Sequence, residues 1–173
     1  ATEQAWDVHA AGRSAYSAVI ADSIRKGAVI DGIGLQYHLF YPREREAEQA
    51  CPLLSPKRLY DCMDHYWNRY HKLLQVTEVT IPAYSNSAED EALQAEVLEK
   101  LFTIWFSHPA MEAAIYWNLV DGYAAFAPQG DMTAGENYYH GGLIRFDMTH
   151  KPAYDMMNEL FRHRFRTEME GET

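Results

Sequence analysis

The chain predicts an α/β fold, a run of parallel strands joined by helical crossovers in the manner of a TIM (β/α)8 barrel. Three observations carry that expectation. Apolar periodicity switches in the order helix, strand, helix, strand, helix, strand, helix along the 173 residues. Connections from helix to strand are short: Gly27 to Ile30, Tyr70 to Leu74 and Ser107 to Ala113. Connections from strand to helix are long and polar, and a barrel builds its working face from those loops. A doubly wound sheet shares the alternation, but no glycine-rich phosphate fingerprint follows a strand here. A whole barrel needs eight strands and about 250 residues. Three strands are expected, so the chain reads as part of a longer protein or of an assembly.

Residues 1–12 show no clear period and read as a lead-in arm. Residues 13–166 are expected to form the partial barrel, and 167–173 a tail. From Ser14 a helix presents Tyr16, Val19, Ile20 and Ile24 on one face and ends at Gly27. The first strand runs from Val29 to His38. Ile33, Leu35 and Tyr37 point one way; Gly34, Gln36 and His38 point the other. A greasy face against helices and a small-then-polar face opening into a site suit a barrel strand. A loop over Leu39–Leu54 leads to Ser55-Pro56, an N-cap and first-turn pair. The helix behind it carries Leu59, Met63, Tyr66, Trp67 and Tyr70 on one stripe. The second strand is Leu74 to Ile81, stopped by Pro82. An acidic helix start at Glu89-Asp90-Glu91 follows, with Leu93, Val97, Leu101, Ile104 and Trp105 as its buried stripe. The third strand is Ala113 to Leu119. A long loop over Asp121–Gly141, an extended piece at Gly142–Phe146 and a helix from Pro152 to Arg164 complete the pattern. That last helix sets Tyr154, Met157, Leu160 and Phe161 on one side.

The net charge of −10 argues against a phosphate-tracking nucleic-acid binder, which needs a basic face, and it is compatible with a neutral substrate. No apolar run approaches the roughly 18 residues that span a bilayer. The 12 tyrosines and 4 tryptophans could stack on sugars, but most are expected in the core. Cys51 and Cys62 have no metal-ligand spacing around them. They read as idle thiols, with a disulfide as the alternative in an exported protein. No metal and no cofactor is expected.

In a parallel sheet Gln36 and His38, Glu78 and Trp117 fall at one edge, facing the long loops. A carboxylate, an imidazole, an amide and an indole then converge, which suits a sugar site. The carboxylate attacks or stabilises an oxocarbenium-like centre, the imidazole aims it, and the indole is a stacking wall. Each also has a plainer reading: Glu78 paired with a lysine, His38 a hydrogen-bonded core histidine, Trp117 pure packing.

The run Ile30-Asp31-Gly32-Ile33-Gly34-Leu35-Gln36-Tyr37-His38 resembles the sixth-strand I-D-G-I-G-x-Q-x-H signature of family 10 glycoside hydrolases, the endo-1,4-β-xylanases. Thr77-Glu78 resembles the seventh-strand T-E motif. Trp117 and Asp121 resemble the eighth-strand W-G-x-x-D. Gly142-Leu143 with Lys151-Pro152-Ala153-Tyr154 resembles the closing G-L-L…K-P-A-Y segment. The resemblance covers about residues 14–162 and implies roughly strands 6–8 of the barrel with their flanking helices. It implies Glu78 as the nucleophile of a retaining enzyme and His38 as the residue that orients it. It places Gln36, Trp117 and Asp121 on the substrate side, with xylan or xylo-oligosaccharide as the partner and a secreted or periplasmic location. The sequence departs from the family at several points. Thr80 stands where the family has an Asp contacting the histidine, Asn118 where it has Gly, and Ala125 where a second Trp is usual. Asn137-Tyr138-Tyr139-His140 are candidates to rebuild that wall, Tyr139 and His140 above all, with ordinary loop packing as the alternative. The acid/base glutamate of the family sits in an N-E motif at the fourth strand. Here Asn158-Glu159 lies in a helix, and Glu136 and Asp121 are not expected to substitute. The isolated chain is therefore expected to be inactive or nearly so. Two alternatives stand beside this: a non-catalytic sugar-binding module, and self-association through the open sheet edges.

Overall fold

The computed structural model describes Trp6 and residues 12–166. The expected arm and tail fall outside these residues, apart from Trp6 and Gly12. Three strands, β1 (Gly32–His38), β2 (Leu73–Thr80) and β3 (Met111–Tyr116), form one sheet in the order β1-β2-β3. Both pairings are parallel, so each connection must cross the sheet. The crossovers are α2 (Pro56–Tyr70) and α3 (Ala88–Ser107); α1 (Ala15–Arg25) precedes β1 and α4 (Pro152–Glu159) follows the long last loop.

The helix starts are chemical. Ser14, Ser55 and Ser87 cap α1, α2 and α3, each accepting a bond from the backbone N–H three residues on. Pro56 and Pro152 occupy first-turn positions, where no N–H is needed. Gly27 at φ +89° and His71 at φ +51° take the left-handed turns that end α1 and α2.

The outward face of the sheet is the core. Ile33, Leu35, Tyr37, Leu74, Val76 and Val79 are buried there with Leu59, Met63 and Tyr66 of α2 and Leu98, Leu101 and Trp105 of α3. Trp6, within the stretch read as an arm or an irregular lead-in, is fully buried in this layer. Its ring meets Tyr37 edge-on at 5.2 Å and Trp105 at 6.0 Å, and its indole N–H donates to the Gln36 carbonyl at 2.9 Å.

Several elements differ from expectation. In α1, Ser17 and Ile20 are buried, whereas Val19 and Ile24 are exposed, because three strands offer them no neighbour. In α3 the stripe is rotated. Leu93 is 49% exposed while Glu91 and Gln94 are buried, because both have distant partners. The Gln94 amide donates to the Ile81 and Gly142 carbonyls at 2.8 and 3.2 Å, and Glu91 accepts from the Arg145 guanidinium at 2.7 Å. The loop after β1 holds short helical turns at Arg43–Arg45, Glu46–Gln49 and Cys51–Leu54. β3 stops at Tyr116, and Gly142–Phe146 makes isolated bridges through Ile144 instead of a strand. α4 continues as a π-helical turn, Leu160–Arg164, in which Phe161 is exposed. Cys51 is exposed and Cys62 buried, and no disulfide joins them.

β2 contains the irregularity that matters. Its register against β1 is Leu35 to Val76 and then Gln36 to Glu78, so Thr77 is an extra residue, a β-bulge. Before the bulge the buried outward residues are Leu74 and Val76; after it, Val79. Strict alternation from Leu74 and Val76 would have sent Glu78 outward into the helix layer. The bulge turns Glu78 to the inner face, beside Gln36 and His38. Gly34 makes room for it, because a Cβ there would stand 2.7 Å from the Thr77 methyl carbon.

Candidate active site

Three side chains from two strands meet at the loop end of the sheet. The Gln36 amide donates to Glu78 Oε1 at 2.8 Å, and His38 Nε2 lies 3.1 Å from Glu78 Oε2. Each carboxylate oxygen therefore has its own partner, and the group cannot rotate without losing both. Glu78 keeps 29% of its side-chain exposure and His38 only 12%, so the carboxylate is held yet reachable. On the far side of the imidazole, Nδ1 lies 2.9 Å from the buried Thr80 hydroxyl. A carboxylate facing Nε2 requires a hydrogen there. In the Nε2–H tautomer Nδ1 presents a lone pair, to which the threonine hydroxyl donates a hydrogen bond. Where an aspartate would demand a second N–H, Thr80 satisfies this tautomer without adding charge.

Aromatic rings extend the site. Phe40 stacks flat on His38, centroids 4.6 Å apart and planes 7° from parallel. Tyr139 of the long last loop lies on Phe40 at 4.8 Å, and Tyr84 and Tyr138 continue the row. Trp117 stands edge-on to His38 at 6.4 Å. Its backbone N–H donates to Val79 O at 2.8 Å, which ties it to β2 just past the end of β3.

The structure thus brings Gln36, His38, Glu78 and Trp117 together and links Tyr139 to them through Phe40. It places Asp121 elsewhere. Asp121 is 4% exposed, and its carboxylate meets Lys151 Nζ at 2.6 Å and accepts the Gly142 N–H at 2.8 Å. Expected on the substrate side, it is instead an internal counter-charge, because a fully buried ammonium requires one. His140 bonds through Nδ1 to the Asn86 side chain at 3.0 Å, and its carbonyl accepts from Lys151 at 2.7 Å, so it joins two loops. Phe40 was not singled out by sequence, Thr80 entered only as a departure from the family's Asp, and Glu136 only as a candidate substitute acid. Phe40 carried a signal, standing two residues beyond His38. The contact of Glu136 with the Trp117 indole carried none, because it depends on how a long loop folds back. Ala125 is exposed and supplies no second wall. Among the described residues no group of three or more His, Cys, Asp or Glu side chains could hold a metal ion, and no helix is long and apolar enough to cross a membrane.

A model of glycosyl hydrolase family 10 matches residues 4–160. The chain belongs to glycosyl hydrolase family 10. Its fold is a portion of that family's barrel, as the solved structures it resembles show. Native xylanase 10B from Thermotoga maritima superimposes with a TM-score of 0.64 at 23% identity, covering 93% of this chain and 45% of that one. Xylanase 10B from Thermotoga petrophila in complex with xylobiose gives 0.65 at 19% identity, over 94% and 45%. Xylanase 10C from Cellvibrio japonicus, a mutant in complex with xylopentaose, gives 0.61 at 14% identity, over 87% and 31%. The chain therefore spans less than half the length of these relatives. A comparison with curated protein sequences finds no match.

Burial pushes the His140 imidazole below its ordinary value, against the pull of Asp121. Its proton is bound more readily in the unfolded chain, so stability present above the unfolded value of about 6.5 falls as pH drops through the lower folded value. His65, lowered by burial and then by Arg69, has the same sign. Urea midpoints are expected to decline below pH 6.5, with a shallower decline in His140→Asn. Equal slopes in the two proteins would assign the dependence to other groups.

Proposed function

We propose that this chain carries the nucleophile side of a retaining β-1,4-xylan hydrolase site. Glu78 is the nucleophile, His38 and Gln36 aim it, and Trp117 with the Phe40–Tyr139 rings faces xylosyl units. The observation that supports this most is the separate anchoring of the two Glu78 oxygens at a strand end. A nucleophilic carboxylate must meet the anomeric carbon at a fixed angle while staying reachable, and Glu78 is anchored at both oxygens yet keeps 29% of its side-chain exposure.

A retaining mechanism also needs a second carboxyl group about 5–5.5 Å away to protonate the leaving oxygen. Both candidate substitutes are otherwise engaged: Asp121 pairs with Lys151, and Glu136 accepts from two N–H donors. On this reading the isolated chain does not turn over xylan. The missing acid can be bypassed chemically. A 2-fluoro-xylobioside carrying a dinitrophenolate leaving group needs no protonation. A Glu78 oxygen bonds to the anomeric carbon, the carbon–oxygen bond to the aglycone breaks, and dinitrophenolate departs with the electron pair. The fluorine slows hydrolysis of the ester. The expected result is a stoichiometric adduct on the peptide containing Glu78, found by mass spectrometry and absent from Glu78→Gln. Saturating probe with no adduct, or an adduct elsewhere, would overturn the assignment.

A further inference from the structure

We infer that Glu136 is a positioning residue that fixes the Trp117 ring, acting together with Asn118. The inference rests on the sugar-facing reading of Trp117. Glu136 Oε2 accepts two hydrogen bonds, from the Trp117 indole N–H at 2.9 Å and from the Asn118 side-chain amide at 2.8 Å. A carboxylate acceptor makes both bonds charge-assisted, the stronger kind.

Each partner is itself held. Asn118 adopts φ +63°, the left-handed region that asparagine tolerates better than other non-glycine residues. Where the family motif has glycine, this chain makes a left-handed turn that carries a side-chain amide. Glu136 sits on the 3-10 turn Gly135–Tyr139. The neighbouring Asn137 side chain, 3% exposed, accepts from Ala124 N and donates to the Pro128 and Asp131 carbonyls. The long loop is thereby wound so that Glu136 arrives at the indole. Thr80, Asn118 and Glu136 line one small cleft, and Thr80 is the residue bonded to His38. The clamp therefore stands on the working face.

The need for it is physical. Of the 4 tryptophans, Trp6 and Trp105 are core residues and Trp67 lies on α2. Trp117 is left as the one indole beside His38, and Ala125 provides no ring to brace it. An indole at the mouth of a cleft samples several rotamers unless something selects one. Its polar edge is the handle, and Glu136 grips it. A sugar then meets a flat surface already in place, so less ordering is lost on binding.

The test uses the chain labelled with 15N-tryptophan, in which Trp117→Phe identifies the Trp117 indole signal. Glu136→Ala is expected to move that signal upfield and speed its hydrogen exchange about tenfold, leaving the other indoles in place as the folding control. Xylotriose affinity, read from shifts of the Trp117 indole, is expected to fall roughly tenfold. Glu136→Gln retains an acceptor oxygen and recovers part of both effects. If Glu136→Ala left the indole signal unmoved, no clamp would exist. A moved signal with unchanged xylotriose affinity would sink the positioning role while sparing the hydrogen bonds. Absence of any xylotriose-induced shift in the unsubstituted chain, with the clamp signals intact, would instead defeat the sugar-facing reading on which the role depends.

Discussion

Asp121→Ala is expected to destabilise the fold by about 3–5 kcal/mol, the cost of leaving one member of a buried ion pair alone. The Lys151 side chain is wholly buried and that of Asp121 is 2% exposed, so water cannot replace the lost partner. The same change strips the Gly142 N–H of its acceptor. A Cβ on Gly142 would stand 2.5 Å from the Asp121 backbone nitrogen, which shows how little room there is for rearrangement. Burial already pushes the Lys151 ammonium below its ordinary value, against Asp121 holding it up. Without Asp121 the downward push of burial is opposed only by the Glu91 carboxylate. The double change Asp121→Leu with Lys151→Met removes both charges and is expected to cost less than Asp121→Ala alone. Chemical denaturation of both variants, with Asp121→Leu and Lys151→Met as the single changes, checks this. Additive losses would mean the two groups do not communicate.

Gly34→Val is expected to slow labelling of Glu78 about a hundredfold, a loss of the size that a 1 Å misplacement of a reacting group produces. A Cβ at Gly34 would approach the Thr77 methyl carbon to 2.7 Å. That methyl cannot swing away cheaply. Threonine is stiff at χ1, and its hydroxyl bonds to the Leu35 carbonyl at 3.3 Å. The bulge backbone must move instead, and Glu78 is the next residue. Overpacking of this kind also costs about 1–3 kcal/mol. Labelling rates are therefore compared at a temperature where both proteins are folded by circular dichroism. An unchanged rate would mean the bulge does not set the aim of the carboxylate.

Much of this was legible in the sequence because it depends on neighbours along the chain. The alternation of Ile33, Leu35 and Tyr37 against Gly34, Gln36 and His38 is a local property of one strand, and the structure keeps it residue for residue. The parallel sheet followed from the alternation of helices and strands, and the motif order led to the family that the comparisons then showed. What escaped was set by distant partners. Glu91 and Gln94 look like surface residues of α3 until Arg145 and the Gly142 carbonyl arrive beside them. Asp121 shares a motif with residues that line the site, yet Lys151, thirty positions on, claims it. Trp6 lies in a stretch without period, and its burial depends on Tyr37 and Trp105. The bulge at Thr77 left no mark in composition, because threonine in a strand is ordinary.

That bulge separates two demands that an unbroken strand cannot meet together. With a period of two, Leu74, Val76 and a carboxylate at position 78 must share a side. One interposed residue reverses the parity midway, so the same eight-residue strand is oil-facing at its start and chemistry-facing at its end. The consequence reaches transplantation. A graft of Thr77-Glu78 onto an uninterrupted strand has to sit at the opposite parity from here. Copying the flanking Leu74-Gln75-Val76 along with it would bring the glutamate oxygen atoms to the wrong side of the sheet.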